Sequence, residues 1–163
     1  MGWYNSDGLY VKFGTEVGTA GKAGSYEYDG PLRLVELDLT DLSLLTTTGV
    51  IQDYNTILPK NAFIEKVDII CTTAVTSGGS ATLDIGLIST DTTSAYDDDG
   101  LIAALAIASF NATGEGVSLS VNSTSAGALI GTVLASNGYL VASYNTAAFT
   151  AGACKVRIWY SRQ

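Results

Sequence analysis

The segment PLRLVELDLTDL, which begins at Pro31, alternates apolar and polar residues with a period of two. Val35, Leu37 and Leu39 fall on one side of an extended backbone, and the polar residues between them fall on the other. This alternation is typical of a β-strand with one buried face and one solvated face. A sheet of such strands must cover its apolar face with another layer, so the pattern favours a layered β-structure.

The same character recurs along the chain in about eight segments, separated by turn-forming clusters such as TSGGS at residues 76–80. The predicted strands lie in PLRLVELDLTDL, GVIQDYNTILP, NAFIEKVDIICTTAV, ATLDIGLIST, GVSLSVN, ALIGTVLA, YLVASYN and CKVRIWYS. No regular alternation of strands with helices is seen, which argues against a parallel α/β sheet. We therefore predict an all-β fold, an antiparallel jelly-roll-like β-sandwich with one short helix and an extended N-terminal arm.

Residues 1–30 differ in composition from the rest, because closely spaced glycines alternate there with aromatic residues. Dense glycine disfavours a stable helix, whereas Tyr and Trp are typical of interface cores. We predict that residues 1–30 form an extended Gly/aromatic arm laid on a partner, with one strand near Leu9–Phe13, and that residues 31–163 form the sandwich. The alternative is an arm folded back on its own domain. The candidate partner interface residues are Trp3, Tyr4, Tyr10, Phe13, Tyr26 and Tyr28.

The charge balance excludes several functions, since 8 basic and 16 acidic residues give a formal net charge of −8. Phosphate and anionic lipid contacts need positive charge, so we expect no nucleic-acid and no membrane partner. The apolar runs are also shorter than the ~18 residues of a membrane span. The chain has no histidine, which removes the commonest general base and metal ligand. We predict no enzyme activity, no catalytic residues and no cofactor; a carboxylate-based glycan hydrolase is the remaining enzyme alternative.

Three consecutive aspartates, Asp97, Asp98 and Asp99, precede the run GLIAALA. Calcium loops space their carboxylates at alternate positions, whereas consecutive residues of an extended chain point to opposite sides, so at most two would reach one cation without a special turn. A pair of catalytic carboxylates must face each other across a substrate, about 5–9 Å apart, which neighbours rarely achieve. We favour a third interpretation, in which the aspartates cap a short helix that seals one end of the sandwich. No metal site is assigned.

The two cysteines, Cys71 and Cys154, are far apart in the sequence and have no metal-type spacing. A disulfide between them requires that their two strands meet. A chain of this size builds a core without such a link, so buried free thiols are the favoured prediction.

Several motifs resemble one family of proteins. SGGSATLDIGLIST (residues 77–90) runs into YDDDGLIAALA, and LPKNAFIEKVDI (residues 58–69) precedes them. Together with the ending GYLVASYNTAAFTAGACKVRIWYSR, these resemble the jelly-roll decoration (cement) and virion structural proteins of tailed bacteriophages. The resemblance covers residues 50–162 and its motifs are structural rather than chemical.

The resemblance implies a virion structural protein that binds the outer capsid surface, bridges major capsid protein subunits and assembles as a homotrimer. The first residues, MGWYNSDG, lack the basic region and apolar run of a secretory signal, so we expect synthesis in the host cytoplasm. The alternative is a phage adhesin, a capsid-fibre or tail-fibre head that binds a cell-surface glycan. In that alternative Asp97–Asp99 and an exposed Trp159 are the binding candidates.

Overall fold

A computed structural model describes the backbone at residues 2–4 and 10–12, and the chain at residues 32–91 and 95–162. The chain divides into two compact units, residues 1–31 and residues 32–163. In the first unit, strands β1 (Gly2–Tyr4) and β2 (Tyr10–Lys12) pair antiparallel, with Tyr4 opposite Tyr10. Strand β2 therefore lies where the sequence predicts one. Whether residues 1–30 act as an arm on a partner stays a prediction.

The described residues of the second unit form nine strands in two antiparallel sheets. They are β3 (Leu32–Leu39), β4 (Val50–Ile51), β5 (Ile57–Leu58), β6 (Ala62–Ser77), β7 (Thr82–Ser89), β8 (Ala95–Ala106), β9 (Gly116–Leu119), β10 (Gly138–Asn145) and β11 (Phe149–Arg162). One sheet has the order β3-β11-β6-β9. The other has the order β4-β10-β7-β8, with β5 also pairing β10.

The strand order is that of a jelly roll. If the short strands β4 and β5 are taken as one position, the chain has eight positions, which change sheet at every step except from β7 to β8. Eight strands wound in this way form the two Greek keys of a jelly roll. The predicted antiparallel jelly-roll-like sandwich is therefore confirmed.

The core follows the period-two alternation of the sequence. In β6, Val67, Ile69 and Cys71 are buried, and the residues between them face outward. The same holds for Val156 and Ile158 of β11. Each fully buried aliphatic side chain contributes about 1.5–3 kcal/mol relative to an exposed one, so burial of these two inner faces stabilises the sandwich.

The helix predicted to begin at Asp97–Asp99 is wrong, because this segment lies inside strand β8. The Ala/Leu composition favours a helix only weakly over so short a run, and pairing with β7 outweighs it. The part of the chain that the structure describes contains no α-helix. Its helical elements are two 3₁₀ turns, Leu42–Leu44 and Ile107–Ser109.

The strand predicted in ALIGTVLA is also wrong. Residues 128–135 form a series of turns beside β6, where the Gly131 N–H donates to the Ile64 carbonyl at 2.8 Å and the Ile64 N–H donates to the Thr132 carbonyl at 3.0 Å. Gly131 has a φ of 81°, in the left-handed region, which interrupts an extended backbone. The segment is apolar because Ile130 and Leu134 reach the core, not because it is a strand.

Among the described residues, no helix has the length and apolar character that crossing a membrane would require.

Strand β8 crosses close above Gly86 of β7, which generates the first prediction. A Cβ atom at Gly86 would overlap the backbone carbonyl groups of Asp97 and Asp98, which cannot swing aside as a side chain can. We expect Gly86→Ala to destabilise the protein by at least about 3 kcal/mol or to abolish folding, as measured by denaturant unfolding and soluble yield. Gly78→Ala is the matched control, because no atom lies within 4 Å of its added Cβ. Equal stability of the two variants would contradict this packing.

Candidate functional site

The three aspartates lie on a bulge of β8, the outer strand of the five-stranded sheet. Asp97 pairs with Leu87, and Ile102 pairs with Ile85. Between these two pairs β8 advances by five residues, whereas β7 advances by only two. The surplus residues turn the backbone out of the regular pleat. As a result one carboxylate oxygen from each of Asp97, Asp98 and Asp99 lies within 4.8 Å of the other two. A regular extended strand would bring at most two of them together, and the bulge is the special turn that lets all three converge.

Glycines hold the bulge between its neighbours. Gly86 leaves room for the bulge on the side of β7. Gly127 leaves room for it on the opposite side, because a Cβ atom at Gly127 would overlap the carbonyl groups of Gly100 and Asp99. The Leu129 N–H donates to the Gly100 carbonyl at 2.8 Å, which ties the turn after Gly127 to the bulge. The convergence of the carboxylates is therefore fixed by backbone packing rather than by the aspartates themselves.

The carboxylates on this bulge destabilise one another in their charged forms. Burial raises the pKa of Asp97, and the neighbouring Asp99 and Asp98 raise it further. Burial also raises the pKa of Asp84 on β7. The Ala104 N–H, which donates to Asp84 Oδ1 at 2.6 Å, lowers this pKa, but burial outweighs it. The charges of Asp99 and Asp98 add to this shift. The bulge is thus a focus of negative potential.

This cluster offers little chemistry beyond its charge. Among the described residues, Asp97, Asp98 and Asp99 are the group of side chains close enough together to hold a metal ion. Their oxygen atoms are ligands that suit hard cations such as calcium. Calcium takes about 6–8 oxygens, so three carboxylates that each bind through one oxygen would leave at least three positions to other ligands. The cavity beside the bulge is lined by one carboxylate, that of Asp98. Its volume is about 120 Å³, whereas ligand pockets usually enclose about 300–1,000 Å³. The bulge thus offers one group of oxygen ligands, beside a cavity smaller than a usual ligand pocket.

The outer face of the four-stranded sheet carries paired charges. Glu36 of β3 accepts from Lys155 Nζ at 2.6 Å and from Arg157 Nε at 2.9 Å, and these hydrogen bonds lower its pKa. Burial raises the pKa of Asp68 on β6, but hydrogen bonds from Ser118, Lys66 and Trp159 outweigh it, so the net shift is downward. This face satisfies its own charges.

Trp159 belongs to that face and is not the exposed residue that the adhesin alternative requires. It is half-buried, and its indole N–H donates to Asp68 Oδ2 at 2.7 Å. Lys66 Nζ lies 5.2 Å from the centre of the ring. An aromatic ring that binds a sugar must present an open face, whereas a lysine lies over this ring.

Among the described residues, the apolar side chains left exposed are concentrated in one part of the sequence, a feature that sequence reasoning missed. Six of the eight large ones lie between residues 32 and 57, on β3, β4, β5 and their connections. They are Leu32, Leu34, Leu44, Val50, Tyr54 and Ile57, and we name them the edge-strand surface. Both β3 and the β4–β5 position are outer strands of their sheets. The sequence did contain one sign of these exposed side chains. Leu34 alternates in step with Glu36 and Asp38, so it lies on the outward face of β3.

The structure describes the backbone of only three of the six predicted arm residues. Trp3, Tyr4 and Tyr10 lie in β1 and β2, where the backbone is described. Phe13, Tyr26 and Tyr28 lie outside the described residues. Their role at an interface therefore stays a prediction.

No family model matches the chain, and no curated protein matches it. Solved structures do match. A chain of the cyanophage Pam1 capsid asymmetric unit aligns with a TM-score of 0.56 at 14% identity, covering 81% of this chain and 85% of that one. The capsid of Ralstonia phage GP4 gives a TM-score of 0.55 at 16% identity, covering 82% and 86%. This chain shares its fold with chains of phage capsids.

A third match, in an acid-stable capsid structure of the Helicobacter pylori bacteriophage KHP30, has a TM-score of 0.50 at 14% identity and covers 80% and 86%. At these identities the similarity is one of fold. It extends over four-fifths of this chain in all three comparisons, and so includes most of the sandwich.

The aspartate bulge generates the second prediction. The pKa of Asp97 is raised above its ordinary value of 3.8, so the folded state binds the proton more tightly than the unfolded state does. Ionisation therefore costs stability, and the cost is complete above the folded-state pKa. We expect Asp97→Asn to raise the free energy of unfolding at pH 7 by a few tenths to about 1 kcal/mol. In urea titrations this gain should begin to shrink as the pH falls below the raised folded-state pKa, and it should be lost once the pH is below 3.8, where both states are protonated.

Asp41→Asn is the matched control, because it removes the same formal charge. Hydrogen bonds from Ser43 lower the pKa of Asp41, so its ionised form is favoured in the folded state. We expect no gain there. An equal gain in both variants would mean that relief of the overall negative charge, rather than repulsion within the bulge, is responsible.

Proposed function

We propose that this protein is a structural component of a bacteriophage virion, where it decorates the outer capsid surface and bridges subunits of the major capsid protein. The observation that carries the proposal is the shared jelly-roll fold over four-fifths of the chain with chains of three phage capsids. The motif resemblance in residues 50–162 supports it independently, because it rests on sequence rather than on backbone shape.

The surface chemistry supports a binding role rather than catalysis. The described residues combine a self-satisfied charged face, a small cavity and an acidic bulge without a substrate cleft. The excess of acidic residues keeps free copies soluble and disfavours contact with packaged nucleic acid. We therefore propose that the protein is not an enzyme and works through the surfaces that it buries.

We assign the edge-strand surface to self-association as a homotrimer. Apolar side chains on the outer strands of both sheets are unfavourable in water, and a three-fold contact would bury one such edge in each subunit. Leu44 is 75% exposed and Tyr54 is 63% exposed, so burial would remove substantial apolar area from water. The predicted arm, residues 1–30, then contacts the capsid protein through its aromatic residues.

The capsid role predicts that the purified protein binds shells of its phage that lack it and sediments with them. The arm assignment predicts that Trp3→Ala combined with Tyr10→Ala weakens binding by at least about 10-fold, since aromatic residues dominate interface energies. Val133→Ala is the control for loss of an exposed apolar side chain outside the arm and outside the edge-strand surface, and it should bind shells as wild type does if the arm makes the contact. Failure of the wild-type protein to bind, together with its absence from purified virions by mass spectrometry, would refute the capsid role.

The trimer predicts a mass in solution of three chains, measured by light scattering after size-exclusion chromatography. Leu44→Glu should dissociate the trimer, because it places a charge in the apolar contact. Val133→Glu is the matched control, since Val133 is also exposed, at 45%, but lies outside the edge-strand surface. A wild-type monomer, or dissociation by both variants alike, would contradict the assignment.

The adhesin alternative retains one supporting observation, the convergence of the three carboxylates on the β8 bulge. Binding of the purified protein to host cells that a calcium chelator abolishes would favour it over the capsid role.

A further inference from the structure

The two cysteines lie directly opposite each other on the central strands of the four-stranded sheet. Cys71 of β6 is the register partner of Cys154 of β11. Both side chains face the core, with exposed fractions of 1% and 2%, and both are free thiols, as predicted from the sequence. Since register partners on one face of a sheet are nearest neighbours across the strands, the two sulfur atoms lie on the same side of the same pair.

The backbone hydrogen bonds show which kind of antiparallel pair this is. The Cys71 N–H donates to the Glu115 carbonyl at 2.8 Å, and the Cys71 carbonyl accepts from the Gly114 N–H at 2.9 Å. Both polar groups of Cys71 therefore point away from β11, so Cys71 and Cys154 form a non-hydrogen-bonded pair. Cα atoms in such a pair lie ~4.5 Å apart, and disulfides span ~4.4–6.8 Å between Cα atoms. The spacing typical of such a pair therefore falls within the range that a disulfide accepts.

We propose that Cys71 and Cys154 are a reversible disulfide site that links the two central strands β6 and β11 when the protein meets a low-molecular-weight disulfide oxidant. One cysteine thiolate attacks a sulfur of the oxidant, forms a mixed disulfide and releases one thiolate of the oxidant. The second cysteine thiolate then attacks the protein sulfur of the mixed disulfide and releases the other. Two protein thiols are oxidised, one oxidant disulfide is reduced to two thiols, and the two cysteine protons pass to those thiols or to solvent.

Burial makes this site slow to react in the folded protein. It raises the pKa of Cys154 to about 12 and raises that of Cys71 as well, so little thiolate is present at neutral pH. Access to the thiols requires local opening of the β6–β11 pairing. This end of the pairing is irregular, with successive register shifts between Phe149 and Cys154. We therefore expect rapid oxidation during refolding and slow oxidation of the folded chain.

The link would join residues 71 and 154, which enclose most of the sandwich. A cross-link over so long a loop restricts the unfolded chain strongly. It would leave the fold unchanged, because the two strands are already paired. The inference does not depend on the proposed virion role.

The experiment refolds the reduced full-length protein from denaturant in a buffer of oxidised and reduced glutathione. Intact mass, the number of free thiols in denaturant and a non-reducing peptide map are then measured. We expect the mass to fall by that of two hydrogen atoms, the thiol count to fall from two to none, and one peptide pair to link Cys71 to Cys154. Near-UV circular dichroism should match that of the reduced protein, and dithiothreitol should restore both thiols.

Cys71→Ser and Cys154→Ser are matched controls, and each should keep one thiol or one glutathione adduct without an intrachain link. The wild-type measurement decides the outcome even if a variant fails to fold. Two remaining thiols, two glutathione adducts, a link between different chains, or a linked product that has lost the native circular dichroism would each overturn the proposal.

Discussion

The pairing of β6 with β11 is the interaction on which the rest of the sandwich depends. These are the two longest strands, of 16 and 14 residues, and they occupy the centre of the four-stranded sheet. Each provides the edge on which an outer strand forms, β9 on β6 and β3 on β11. Their inward residues, such as Ile69 and Val156, form one wall of the core. The same pairing places Cys71 opposite Cys154 and so creates the proposed disulfide site.

The opposite sheet shows how glycine packing imposes an arrangement that charge opposes. Three consecutive carboxylates repel one another, and burial of Asp97 adds to the cost of ionisation. They are nevertheless held together because Gly86 and Gly127 let the β8 backbone approach its neighbours closely. The energy of packing the bulge therefore outweighs local electrostatic repulsion. The convergence of these carboxylates is in this case a consequence of backbone geometry.

The outer strands give the sandwich its capacity for association. An outer strand usually carries polar residues that discourage contact with another chain, yet β3, β4 and β5 expose several large apolar side chains. The outward face of the four-stranded sheet carries Leu32 and Leu34 at one end of β3, while its Glu36 and Asp68 are satisfied by neighbouring basic residues. Apolar edges and a self-satisfied charged face together favour association through the edges, as the proposed virion role requires.

The sequence by itself determined the fold class and the inward faces of most strands, because alternation is a local property that a single strand displays. It predicted that Val67, Ile69 and Cys71 face inward, that the sheets are antiparallel and that the cysteines are buried thiols. Only the tertiary structure decided that the segment at Asp97 is a bulged strand, that residues 128–135 form turns and that Trp159 is engaged by Asp68. These features depend on contacts between residues far apart in the chain, such as Gly86 beneath Asp97, and no local pattern encodes such contacts.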